Sequence, residues 1–143
     1  MDSAVVIIPT PSALGLAAFL SERLPGQSDP WVVSLNGDAA IYVNIVPAEE
    51  ADLEPEDFRL LTERFEGQQL TAVLADVAVR NVGCRELREL VVAMLSRFPG
   101  LASDDIAEHW WTAEEVQTPE KFNLQRFWPH EVLADVPGGA SEA

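Results

Sequence analysis

The chain has 143 residues, 48% of them apolar, and its 24 carboxylates outnumber 9 basic residues to give a formal charge of −15. This length suits one domain with a real core, and the apolar fraction is too high for a disordered chain. Because such a charge repels nucleic acid and anionic membranes and attracts basic proteins, we expect neither nucleic acid nor membrane among the direct partners.

Cysteine usage and the N-terminal sequence bear on location. Cys84 is the only cysteine, which excludes an internal disulfide and the cysteine-rich zinc spacings. Asp2 stands where a secretory signal peptide would carry basic residues, and Pro9 and Pro11 interrupt the first apolar run. No stretch approaches the roughly 20 apolar residues of a membrane-spanning helix. We expect a soluble, cytoplasmic protein without a cofactor.

The first half of the chain predicts a strand, a helix and a hairpin. "AVVIIP" (4–9) is a short, buried strand, and "TPSALGLAAFLSERLPG" is a helix capped by Thr10 and stopped by Pro25-Gly26. In "WVVSLNGDAAIYVNIVP" two β-rich runs flank Asn36-Gly37, the pair most suited to a tight hairpin turn. Alternating apolar residues on the two arms should face one core: Trp31, Val33, Leu35, Ile41, Val43 and Ile45.

The second half predicts a helix, a strand and a further helix. "AEEADLEPEDFRLLTERFEG" (48–67) is an acidic helix with an apolar stripe of Phe58, Leu61 and Phe65. "LTAVLADVAVR" (70–80) is apolar on nearly every residue and so favours a central strand, and "CRELRELVVAMLSRF" (84–98) is an amphipathic helix. In the acidic segment that follows, "TAEEV" predicts a helical turn capped by Thr112.

This order of elements predicts an α/β (α+β) fold. The first six elements follow the ferredoxin-like β-α-β-β-α-β order, with two helices on one face of an antiparallel sheet, and a third helix flanks or extends that core. An open sheet with helices on both faces is the alternative. We expect one compact domain over 1–134, in which 101–134 is a packed, acidic C-terminal extension, and a flexible tail over 135–143.

One cluster of acids with a histidine, and one cysteine at the start of a helix, raise the alternative of a small enzyme. Asp104, Asp105 and His109 could bind a metal or act in catalysis, but a zinc site normally uses more histidine or cysteine. Cys84 opens a helix, where the helix dipole lowers the pKa of a thiol, although nothing selects a histidine partner for it. Helix capping and solvation are the simpler interpretation of the acids and of Cys84, and we therefore expect neither a catalytic residue nor a metal site.

The carboxylates concentrate in two segments that suit a basic protein partner. The first spans 49–66 and carries Glu49, Glu50, Asp52, Glu54, Glu56, Asp57, Glu63 and Glu66. The second spans 104–120 and carries Asp104, Asp105, Glu108, Glu114, Glu115 and Glu120. Trp110 and Trp111 lie inside the second segment, where they are either binding anchors surrounded by acids or part of a satellite core.

Residues 86–116, "ELRELVVAMLSRFPGLASDDIAEHWWTAEEV", carry a resemblance to a known class of protein. A helix ending in "FPG", a double aspartate, an aromatic residue and "TAEEV" resemble the end of small bacterial immunity or accessory proteins that accompany polymorphic toxins used in interbacterial competition. The resemblance implies a binder of one toxin domain and provides no catalytic residues.

Together these features predict a non-enzymatic immunity protein that binds and covers a cognate, basic toxin domain. The predicted partner-binding residues are the acids from Glu49 to Asp57 and from Asp104 to Glu115, with Trp110 and Trp111 as anchors. An enzyme that uses Cys84 or the Asp104/Asp105/His109 cluster, and an accessory or adaptor protein without a toxin partner, are the alternatives.

Overall fold

The computed structural model describes residues 2–79, 81–104 and 109–130. Five strands lie within these ranges: β1 (Asp2–Ile8), β2 (Trp31–Leu35), β3 (Asp38–Pro47), β4 (Thr71–Val77) and β5 (Leu101–Ser103). Four α-helices accompany them: α1 (Leu14–Arg23), α2 (Pro55–Arg64), α3 (Cys84–Arg97) and α4 (Ala113–Gln117). Two 3₁₀ turns complete the described elements: Ala48–Glu50 and Pro119–Phe122. The predicted tail over 135–143 lies outside the described residues.

The strands form one open antiparallel sheet in the order β2-β3-β4-β1-β5. β4 is central, as its sequence predicted, since Val77 pairs with Ile41 of β3 on one side and with Asp2 of β1 on the other. The ferredoxin-like order is not confirmed, because that order would place β1 between β3 and β4. The predicted antiparallel character is confirmed, since every strand of this sheet runs antiparallel to its neighbours.

Helices cover both faces of the sheet, which was the alternative arrangement. On the first face, the buried side chains of α1 and α3 pack against alternate residues of the strands, such as Val6 and Val73. On the second face, Leu61 of α2 packs with Ile7 and Ala72. Ile7 follows Val6 in β1 and Ala72 precedes Val73 in β4, so adjacent residues of each strand face opposite sides of the sheet. Because β1 and β4 are apolar on both faces, each strand contributes to two cores.

Local sequence signals explain most of the element ends. The hairpin turn lies at Asn36 and Gly37, both with positive φ, as predicted. The predicted acidic helix is interrupted, because Pro55 holds the preceding Glu54 in an extended conformation and α2 can begin only at the proline. The helix predicted to begin after Thr10 starts instead at Leu14, since Thr10 remains tied to the end of the sheet through a hydrogen bond from Thr71.

The segment after Gly100 packs onto the sheet. β5 was not predicted; it pairs with β1, and a further bridge joins Ala102 to Trp111. Phe127 and Trp128 are both 0% exposed and belong to the core on the first face. Within the described ranges, the extension therefore contributes Trp111, Val116, Phe127 and Trp128 to the first core.

Candidate functional site

The first acidic segment forms an exposed surface on the second face of the sheet. We call it the α2 surface and define it as residues 48–64 together with Trp110. The six acids of the segment that were predicted to bind a partner all lie here: Glu49, Glu50, Asp52, Glu54 and Glu56 are exposed, and Asp57 is half-buried. The 3₁₀ turn presents Glu49 and Glu50, and the connection from this turn to α2 presents Asp52 and Glu54.

The folded structure stabilises the negative charge of some of these acids. Glu56 and Asp57 lie in the first turn of α2, where the helix dipole stabilises carboxylates. Arg59 pairs with Glu56 and with Glu63, whose Oε2 lies 2.7 Å from its Nη1. The hydrogen bond from Arg59 to Glu56, with the charges of both acids, raises the pKa of Arg59 further above its high usual value.

Three acids of the α2 surface have no such explanation. Glu49, Glu50 and Asp52 make no ion pair with any other residue in the described part of the chain. They also precede the helix that could stabilise them through its dipole. Their mutual repulsion costs stability, and no ion pair or α-helix dipole in the described part of the chain accounts for this concentration of charge.

A cleft of about 330 Å³ lies beside these acids, between the 3₁₀ turn and the start of α2. Its lining consists of Ala48, Glu49, Asp52, Leu53, Pro55 and Phe58. Two carboxylates without ion-pair partners thus stand over apolar walls. This combination suits a lysine or arginine side chain, whose hydrocarbon stem packs on apolar surface while its charged end meets the acids.

A second cleft, of about 470 Å³, lies on the α2 surface between α2 and the segment after β5. Trp110 and Leu60 line it together with Leu61, Glu63, Arg64 and Leu101. Trp110 is half-buried against the second core, whereas the side chain of Leu60 is 47% exposed. Sequence reasoning missed Leu60; the available signal was the pair Leu60-Leu61, of which only one member can face the sheet.

The two tryptophans point to opposite faces of the sheet. They lie in an extended segment at the bridge to Ala102, where successive side chains alternate in direction. Trp111 is 1% exposed and packs edge-on against Phe127 in the first core. Trp111 is therefore buried in this structure, as the satellite-core alternative expects, and its role as a binding anchor stays a prediction, while Trp110 remains accessible.

Asp104 is likewise a core residue. It is 6% exposed, and its Oδ2 accepts a hydrogen bond of 3.0 Å from the backbone nitrogen of Trp128. Asp104 therefore holds the C-terminal segment against the body through a largely covered carboxylate, and its predicted role in partner binding stays a prediction. Asp105 and Glu108, the other predicted acids of this stretch, lie outside the described residues.

Glu114 and Glu115 lie away from the α2 surface. They belong to α4, which packs through Val116 onto the first core, on the side of the sheet opposite to α2. Glu114 is exposed and pairs with Lys121 at 2.9 Å. The described parts of the two acidic segments therefore do not form one continuous surface.

Glu115 has a structural role at the start of α4. Thr112 and Glu115 form the predicted capping box, with bonds of 2.9 Å and 3.2 Å. The Nε2 atom of His109 lies 3.1 Å from the same carboxylate. Burial opposes ionisation of Glu115, but the hydrogen bonds from Thr112 and His109 outweigh burial and hold the pKa of Glu115 below its usual range.

The residues of the enzyme alternatives are used within the fold. The Nε2 atom of His109 lies within hydrogen-bond distance of Glu115, and Asp104 accepts a hydrogen bond from the backbone of Trp128. Cys84 is 3% exposed and packs in the first core, whereas reactive thiols are usually partly exposed. Across residues 2–79, 81–104 and 109–130, no three histidine, cysteine or acidic side chains are grouped so as to hold a metal ion.

Comparison of the chain with protein-family models, with curated proteins and with solved structures found no match. None of the helices in the described ranges combines the length and the apolar character needed to cross a membrane. Among the described residues, the α2 surface joins carboxylates without ion-pair partners to two clefts and an accessible tryptophan, and it is the candidate site that the geometry supports best.

Proposed function

We propose that this protein is a non-enzymatic, immunity-type inhibitor that binds a basic toxin domain through the α2 surface and covers the active site of that domain. The observation that carries the proposal is the first cleft, where Glu49 and Asp52 stand without ion-pair partners over the apolar walls formed by Leu53 and Phe58. The acidic-aromatic resemblance of residues 86–116 supports the same function.

The first cleft supplies charge recognition. A lysine or arginine of the partner that enters it would form charge-assisted hydrogen bonds, which contribute about 1.5–3 kcal/mol each. The formal charge of −15 would also steer a basic domain toward the protein and raise the association rate at low salt.

The second cleft supplies an apolar anchor. Trp110 is half-buried, so its ring is already held in place, and the exposed Leu60 extends the same apolar area. An aromatic residue at the centre of an interface contributes about 2 kcal/mol or more, whereas charges at the rim mainly change the association rate. Trp110→Ala should therefore accelerate dissociation, and neutral substitutions of the acids should slow association.

The test uses two variants with the same change in net charge. Glu49→Gln/Glu50→Gln/Asp52→Asn neutralises the α2 surface, and Glu22→Gln/Asp38→Asn/Glu120→Gln neutralises three exposed acids elsewhere. The partner is isolated with tagged wild-type protein from the native host at low salt, identified by mass spectrometry and purified, and its activity is assayed with and without the inhibitor.

We expect a basic domain whose activity one equivalent of wild-type protein abolishes. The α2-surface variant should weaken binding at least tenfold, and the control variant should weaken it less than twofold. Equal weakening by both variants would show that only the overall charge matters and would contradict the site. A bound partner that keeps full activity would contradict the inhibitor function.

A further inference from the structure

A third cleft, of about 310 Å³, lies on the first face of the sheet, between the end of α1 and the first turns of α3. Its lining consists of Arg23, Leu24, Val33, Glu86, Glu89 and Leu90. Arg23 and Glu89 also line a neighbouring cleft of about 470 Å³ further along α3, so they stand at the boundary between the two clefts. The third cleft therefore has an apolar wall and a charged boundary.

The two side chains at this boundary carry opposite charges, yet no ion pair joins Arg23 to Glu89. Neither of them forms an ion pair with any other residue in the described part of the chain. The guanidinium carbon of Arg23 lies 5.8 Å from the centre of the Phe19 ring, a contact that leaves the N–H donors of Arg23 available. One positive and one negative group therefore remain available at the opening of one cleft.

The other charged groups near this boundary have interactions of their own. Glu86 lines the third cleft, and its Oε2 lies 3.1 Å from the Nη2 atom of Arg85. Arg88 lines only the neighbouring cleft and directs its Nη1 atom toward the carbonyl oxygen of Trp128 at 3.5 Å. We therefore assign no part in ligand binding to these three side chains.

The apolar wall of the third cleft is part of the folded core. Leu90 is buried, and Leu24 and Val33 are half-buried and pack against the first core. These three side chains lie beside the charged boundary, so a ligand with a charged end and an apolar end would meet matching surface at both. The volume is at the lower end of the range for small-molecule sites, about 300–1,000 Å³, and so suits a small ligand.

A free α-amino acid has the chemistry that this arrangement requires. At neutral pH it carries a carboxylate and an ammonium group on one carbon atom. A guanidinium group binds a carboxylate in bidentate geometry, and a carboxylate accepts hydrogen bonds from an ammonium group. Because the amino acid has no net charge, the formal charge of −15 on the protein does not oppose its approach as it would oppose an anion.

We propose that the third cleft binds a free α-amino acid with an apolar side chain. Arg23 holds the carboxylate, Glu89 holds the ammonium group, and the side chain of the ligand lies on Leu24, Val33 and Leu90. The site is on the first face of the sheet, whereas the α2 surface is on the second, so it does not depend on the inhibitor function.

The test is an NMR titration of the full chain with L-leucine, up to about 10 mM, in 0.15 M salt. We expect saturable shifts of the backbone amides around Arg23 and between Glu86 and Leu90. Three probes each lack one recognised group: L-leucinamide lacks the carboxylate, N-acetyl-L-leucine lacks the ammonium group and glycine lacks the side chain. Each should bind more weakly than L-leucine. At this salt concentration the Debye length is about 8 Å, which limits the attraction of the cationic amide to distant acids.

Variants of the two charged residues connect each group of the ligand to its partner. Arg23→Gln and Glu89→Gln should each weaken the binding of L-leucine about fivefold, the loss of one exposed ion pair. In Arg23→Gln, L-leucinamide should bind as tightly as L-leucine, and in Glu89→Gln the same should hold for N-acetyl-L-leucine. Arg59→Gln and Glu66→Gln are the matched controls, since they remove the same charges from exposed residues on or directly after α2.

The control variants should bind L-leucine as tightly as the wild type. Thermal unfolding of each variant establishes that it is folded before the titration. Absence of saturable shifts in the wild type would overturn the proposal, as would equal weakening by the controls. A preference for L-leucine over L-leucinamide that persists unchanged in Arg23→Gln would also overturn it, because Arg23 would then not hold the carboxylate.

Discussion

Replacing Trp111 distinguishes a core tryptophan from a surface anchor. Trp111 is 1% exposed, and its ring lies edge-on to Phe127 at 5.4 Å and to His109 at 5.3 Å. Burial of an aromatic side chain removes about 150–250 Å² from water, which corresponds to about 4–6 kcal/mol at 25 cal/mol/Å². Truncation to alanine should therefore lower the free energy of unfolding by about 3–5 kcal/mol.

The polar atom of the same ring allows a sharper comparison. The Nε1 atom of Trp111 is buried and has no hydrogen-bond partner among the described residues, and a donor left in this state costs about 1–3 kcal/mol. Trp111→Phe removes that donor and keeps one aromatic ring in the core. It should lower the free energy of unfolding by about 1 kcal/mol or less, because the lost packing and the removed penalty offset each other.

Urea unfolding followed by circular dichroism measures these differences. Trp110→Ala is the companion variant, and it should cost clearly less stability than Trp111→Ala because Trp110 is only half-buried. If Trp111→Phe proves as destabilising as Trp111→Ala, the unpaired donor is not a significant penalty. If both alanine variants cost the same, the assignment of the two rings to different environments is wrong.

Three other predictions concern the frame that holds these sites. Gly100→Ala should destabilise the fold strongly, because a Cβ there would lie 2.4 Å from the carbonyl oxygen of Ile7. Gly15→Ala in α1 would meet only ordinary contacts, so it should be neutral or stabilise the fold by up to about 1 kcal/mol. Thermal unfolding of both variants checks this pair of expectations. Because the pKa of Glu115 is held below its usual range, its contribution is present above pH about 4.5 and lost as the pH falls through the lowered value. Unfolding curves between pH 7 and 3 should show this loss, and a wild-type pH dependence unchanged in Glu115→Gln would refute it. Finally, the side chain of Gln27 covers the edge strand β2: its Oε1 accepts a hydrogen bond of 2.6 Å from the backbone nitrogen of Val32, and its Nε2 donates one of 3.1 Å to the carbonyl oxygen of Val32. Gln27→Ala should therefore uncover that edge and increase self-association in sedimentation experiments. A variant that stays as monodisperse as the wild type would count against this role.

Local chemistry made several parts of this fold predictable. Asn36-Gly37 tolerates positive φ, so the hairpin and its apolar alternation follow from the sequence. The capping box at Thr112 depends only on residues within one helical turn, and it was predicted correctly. Where a local signal failed, a neighbouring constraint explains it, as at Pro55, which keeps Glu54 extended so that α2 begins only at the proline.

The candidate site depended on interactions that no short segment contains. The exposure of Glu49 and Asp52 was predictable from their charge, but the cleft between them and Phe58 exists only because α2 folds back over the sheet. A cleft on the first face likewise joins Arg23 at the end of α1 to Arg85 at the start of α3, positions separated by about 60 residues in the printed sequence. Tertiary packing alone brought these side chains together.

The sequence by itself determined the charge of the protein, its hairpin, the approximate helices and the two-sided apolar character of its central strands. Only the tertiary structure decided that β4 lies between β3 and β1, that helices cover both faces, and that Trp110 and Trp111 separate into two environments. The physical reason is that β1 and β4 are apolar on both faces, so their patterns permit several pairings with similar burial. The choice among these pairings depends on how all the helices pack at once.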